Sequence, residues 1–69
     1  MSVYKVIEII GTSSKSWEDA AATALKKAGE SLRGLRVAEV IQQDVDLGEG
    51  DALSYRTKLR VSFKYEGGE

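Results

Sequence analysis

Sixty-nine residues carry ten basic and eleven acidic side chains, a net charge of −1, and neither cysteine nor histidine. These counts exclude disulfides and thiolate or imidazole metal sites, and they remove the usual neutral-pH base and the thiolate nucleophile. They also argue against a nucleic-acid binder working through bulk charge. A domain this short buries only about 60% of the surface its unfolded chain exposes, so self-association is the route left to stability.

The opening run, MSVYKVIEII, is interrupted by Lys5 and Glu8 and is too short for a signal peptide or a membrane span. The chain therefore reads as one soluble, cytoplasmic domain over residues 1–69, without an enzymatic motif. Val3 to Ile10 is a strand ended by Gly11, apolar on both faces, which calls for cover on both sides. Thr12, Ser13 and Ser14 supply helix caps, and Ser16 with Asp19 fits a capping box. From Trp17, the residues Ala20, Ala21, Ala24, Ala28 and Leu32 recur at helical spacing and form a narrow alanine stripe, with Trp17 at a core position. Gly34 suits a left-handed C-cap.

A second, long strand covers Leu35 to Leu47. Strict alternation puts Leu35, Val37, Ile41, Val45 and Leu47 on one face and Arg36, Ala38, Val40, Gln42, Asp44 and Asp46 on the other. Gly48-Glu49-Gly50-Asp51 makes a turn. Tyr55, Thr57, Leu59, Val61, Phe63 and Tyr65 then alternate with Arg56, Lys58, Arg60, Ser62 and Lys64 in a clear two-faced strand. Gly67-Gly68-Glu69 is expected to fray. The order implies an α+β fold, β-α-β-β, with one helix on a three-stranded antiparallel sheet and an apolar side left for another subunit.

Asp44 and Asp46, two apart on a strand, project on one face; with Glu49 and Asp51 they offer the oxygen donors that calcium prefers. The alternative is a solvated hairpin end. Arg56, Lys58, Arg60 and Lys64 form a basic stripe that could grip phosphate, or could pair across strands with Glu39 and Asp44. Glu8 and Glu39 sit within apolar faces and need partners. Lys5 or Arg36 of another subunit is the expected choice. Gly11-Thr12-Ser13 lacks the spacing and lysine of a P-loop.

From Tyr4 to Glu66 the chain resembles the dodecin family. The likeness rests on Tyr4-Lys5-Val6, Gly11-Thr12-Ser13, the Ala-rich helix, Val37-Ala38-Glu39-Val40, Tyr55-Arg56-Thr57 and Val61-Ser62-Phe63. It implies a sheet partly wrapped around the helix, twelve copies in a hollow shell, and flavin (FMN or riboflavin) held in pairs at subunit interfaces; some members also hold coenzyme A. Val37 stands where flavin-binding members have a stacking tryptophan, and Arg56 where they have a glutamine. Tyr55 and Lys64 join these two as ligand-binding candidates. The calcium dodecins of actinobacteria resemble the chain more closely, through Ser2 to Ser13, Ser16-Trp17-Glu18, Arg36-Val37-Ala38 and Tyr55-Arg56. The resemblance thus implies a homododecamer that stores a small ligand and is no enzyme. Flavin is the family expectation; the alternatives are a calcium shell and a structural assembly without a ligand. No nucleic-acid or membrane partner is expected.

Overall fold

The computed structural model describes residues 1–48 and 52–65. Chain order is β1 (Tyr4–Ser13), α1 (Trp17–Ser31), β2 (Leu35–Asp46) and β3 (Ser54–Lys64). The three strands form one antiparallel sheet in the order β1-β3-β2, so the strand with the strictest alternation lies at the centre. The turn and terminal residues Glu49, Gly50, Asp51 and Glu66 to Glu69 lie outside the described residues.

The sequence places the end of β1 at Gly11, yet the strand runs on to Ser13. Gly11 is buried beneath α1, where an added Cβ would collide with the Ala20 carbonyl oxygen and lie 2.8 Å from the Ala24 Cβ. Here glycine marks a close approach of helix backbone to strand backbone, and not a strand end. The alanine stripe makes the same approach from the other side: Ala20 and Ala24 are the buried helix residues. Ser16 caps the helix by accepting from the Asp19 N–H at 2.9 Å, and Ser13 Oγ donates to Asp19 Oδ2 at 2.7 Å. At the other end the cap is Leu32 in extended conformation, its N–H bonded to the Ala28 carbonyl. Gly34, expected as the cap, instead uses its φ of 72° to turn the chain into β2.

The helix packs over β1 and β3. Leu59, Val61 and Thr57 are the largest fully buried side chains among the described residues. Ile7, Ile9, Ala21, Leu25 and Leu35 pack around Ala24, Leu59 and Val61 while only partly buried. Trp17 is half-buried, not the core residue its place on the stripe suggests. Its indole donates to the Asp44 carbonyl at 2.9 Å and its ring meets the edge of Tyr55 at 5.3 Å.

Register shifts interrupt β2 between Leu35 and Val37 and again between Val40 and Gln42. Because a strand has a two-residue repeat, each extra residue exchanges the faces that follow. Ala38 and Val40 therefore oppose Val61 and Leu59 on the helix side, while Gln42, Asp44 and Asp46 oppose Lys58, Arg56 and Ser54 on the open side. Strict alternation across Leu35 to Leu47 had put these two groups on one face. Val37 (63% exposed), Val40, Val6, Ile10 and Tyr4 remain in contact with water in the isolated subunit. The radius of gyration, 14.1 Å, exceeds the value of about 11 Å for a compact domain of this length.

Gly11→Ala forces methyl against helix backbone, which has no side-chain rotamer through which to yield. It is expected to lower stability by about 3 kcal/mol. Urea denaturation at fixed protein concentration measures the loss, and an unchanged midpoint would contradict the packing described.

Candidate functional site

The open face of the sheet carries ions and apolar side chains together. Glu8 on β1 meets Arg60 at 3.1 Å and Lys58 at 3.7 Å, and Arg60 also reaches Glu39 on β2 at 3.6 Å. The register explains the grouping, since Arg60 is the direct partner of both Glu8 and Glu39. The two glutamates thus find counter-ions within the chain, on the central strand. Lys5 lies over the Tyr65 ring, 5.6 Å from its centroid. Lys27 and Glu30 pair separately on the exposed side of α1.

At the hairpin end the pairing tightens. Arg56 Nε donates to Asp44 Oδ1 at 2.6 Å and its Nη2 to Oδ2 at 2.8 Å, a bidentate fork matched to a carboxylate. Gln42 Nε2 approaches Asp44 Oδ2 at 3.5 Å. The hydrogen bonds from Arg56, reinforced by its charge, hold the Asp44 carboxyl below its ordinary value of 3.8, against a desolvation effect of opposite sign. The same pairing raises Arg56 further. Behind Asp44, Trp17 fixes the backbone through its indole N–H, so the carboxylate is positioned from both main chain and side chain.

Ile10, Gln42, Asp44, Arg56 and Lys58 line a cleft of about 110 Å³ on this face. Gln42 and Ile10 are not among the sequence's candidate site residues, although alternation alone places Gln42 on the face of Asp44, and Ile10 enters the cleft through its pairing with Lys58. Val37 opposes Ser62 and Arg56 opposes Asp44, six residues apart on β3, or about 20 Å. Lys64 lies at the Val37 end, opposite Tyr4. Tyr55 faces the helix side against Trp17. One subunit therefore brings together Asp44 and Arg56 and keeps Val37, Lys64 and Tyr55 away from them.

Two ligand classes can be tested against these residues. A stacked flavin needs a flat aromatic surface and a partner for the ring edge. Val37 is aliphatic and Arg56 is already engaged by Asp44, so the residues do not fit a flavin held in the usual way. Calcium needs six to eight oxygen donors. Asp44 accepts from Arg56 and Asp46 Oδ1 accepts from the Gly48 N–H at 3.0 Å. Among the described residues no three acidic side chains converge, so those residues offer only part of a calcium shell. Glu49 and Asp51, the other expected donors, lie outside the described residues.

The fold and this face define a small α+β subunit with its polar groups arrayed on a sheet that one helix covers in part. The chain belongs to the dodecin family, whose model matches residues 3–66. It is 56% identical to the calcium dodecin of Mycobacterium tuberculosis over 64 residues, covering 93% of this chain and 90% of that protein. It is 38% identical to the dodecin of Thermus thermophilus over 64 residues, covering 93% of each. The fold superposes on the crystal structure of the M. tuberculosis protein with a TM-score of 0.89 at 51% identity, covering 99% of this chain and 97% of that one. That structure is described as a calcium-chelating antigen with a novel calcium-binding site.

The lowered Asp44 carboxyl fixes the sign of a pH effect. A depressed folded-state value contributes stability that is fully present above the unfolded value, near 3.8, and is lost as pH falls through the folded value. Urea midpoints of the native chain and Asp44→Asn should therefore differ by a constant amount above about pH 5 and converge on acidification. A gap that widens at low pH would contradict the pairing.

Proposed function

We propose that this chain is the subunit of a closed dodecin-type homo-oligomer, most simply of twelve copies, that binds a small ligand at surfaces shared between subunits. The ligand is calcium in preference to flavin. The observation that carries the preference is the Asp44–Arg56 fork, which commits the position expected to face a flavin ring. Val37 supports it by offering no stacking plane. Self-assembly follows from the small core and from the apolar groups exposed on both sides of the sheet, Val37, Val6 and Ile10 on one and Val40 on the other.

In this reading the carboxylates at the hairpin end contribute part of a calcium shell, and a second copy completes it. Binding or storage, and not catalysis, is the role. No described helix is long and apolar enough to cross a membrane. The expectation of a cytoplasmic protein without nucleic-acid partners belongs to the same proposal.

Light scattering on purified protein is expected to give about 90 kDa, twelve times the 7.5 kDa subunit, with no flavin absorbance in the visible. Calcium at a hundredfold excess over its Kd is expected to stabilise the assembly by about 2.7 kcal/mol per site. A yellow protein that retains flavin through dialysis would move the reading to flavin storage. A shell indifferent to both ligands would leave a structural assembly, and a folded monomer would sink the proposal.

A further inference from the structure

The donors around Asp44 form a cradle for an oxyanion. Arg56 presents two N–H groups in parallel at 2.6 and 2.8 Å, and Gln42 directs its amide to the same carboxylate at 3.5 Å. Lys58 lines the same cleft of about 110 Å³ and leans toward Glu8 at 3.7 Å, a contact loose enough to exchange for a nearer anion. A planar guanidinium beside an ammonium and an amide donor is the equipment proteins use to hold phosphate. What fills it is the chain's own carboxylate.

We propose that this cleft is a phosphate-class anion site kept closed by Asp44, whose carboxylate acts as an internal competitor for Arg56 and Gln42, with Lys58 lining the same cleft. The competitor is tethered and anchored, because the Asp44 main chain is held by the Trp17 indole at 2.9 Å. Its effective concentration therefore exceeds that of dissolved phosphate. Asp44 in this way sets the ligand class of the face. While it occupies the cradle the cleft is charge-compensated and rejects anions; once it is removed, two cations and an amide converge on a small vacancy. The proposal shares Asp44 with the calcium reading but does not rest on it, since all five lining residues come from one chain.

Titration calorimetry with inorganic phosphate on the native protein and on Asp44→Ala tests it. The native chain is expected to show no saturable binding at millimolar phosphate, and Asp44→Ala to bind at least tenfold more tightly. The double variant Asp44→Ala/Arg56→Gln should lose that gain. Circular dichroism and molar mass establish that each variant is folded; should Asp44→Ala not fold, Asp44→Ser provides the same comparison. A folded Asp44→Ala or Asp44→Ser that binds phosphate no better than the native chain overturns the proposal, as does a double variant that keeps the gain. Failure of the native protein to bind calcium overturns the calcium reading alone and leaves this comparison unaffected.

Discussion

One helix can cover only part of a three-stranded sheet, and the rest of the structure depends on that limit. A helix with side chains is about 10 Å across, and neighbouring strands lie about 4.8 Å apart, so its footprint spans two strands. Here those strands are β1 and β3, with α1 brought down onto them by Gly11 and the alanines. Small residues at the contact give a short interlayer distance and little buried apolar bulk, so Leu59 and Val61 carry most of the core. Every other large apolar side chain of the sheet is left partly or wholly in water within the single chain. Exposure on that scale, in a chain with no disulfide to compensate, is what the proposed assembly would cover.

The open face resolves a second conflict. A sheet that must be packed by another copy needs apolar groups, yet a wholly apolar face would associate without register. The alternating cations of β3 divide it. Glu8, Arg60 and Glu39 form a chain of charge across all three strands, and Arg56 with Asp44 repeats the device at the hairpin end. Ile10 lies between these rows, and Val6 and Val37 lie beyond the Arg60 row, all three apolar and exposed. Exposed ion pairs contribute little to stability, but like charges in the wrong register repel strongly, so in the proposed assembly such a pattern would favour one register between copies.

Periodicity was enough to read the elements, because alternation in Tyr55 to Tyr65 and the alanine stripe leave little choice of partner face. The misreadings share a physical cause: a residue was judged by its local type where a tertiary contact decided its role. Gly11 looked like a stop and is a passage beneath the helix; Gly34 looked like a cap and is a turn. The bulges of β2 are invisible in composition, since Arg36 and Ile41 are ordinary strand residues. Without them Ala38 and Val40 share a face with Asp44, and the ladder with β3 cannot be drawn correctly. The site was legible where it follows from alternation alone. Cross-strand pairing of the basic stripe with Glu39 and Asp44 was among the sequence readings, and the geometry has that pairing. The identity of a ligand was not legible, because the residues expected to share one are separated by the length of the sheet.

That separation gives the Asp44–Arg56 fork its meaning. Val37 and Arg56 lie about 20 Å apart in one subunit, so a flat ligand that touches both must lie between copies. Such a ligand needs Arg56 to turn outward. Its guanidinium is instead turned along the sheet into a carboxylate of its own chain, and the Trp17 indole holds the main-chain carbonyl of that residue. Any ligand that takes the Nε and Nη2 donors of Arg56 must first displace Asp44, whereas a cation drawn to the acidic hairpin end competes with Arg56 for Asp44. The two classes of ligand therefore oppose each other through a single pair of side chains. A substitution at Asp44 alters the balance on both sides, which one at Val37 or Lys64, at the far end of the sheet, does not.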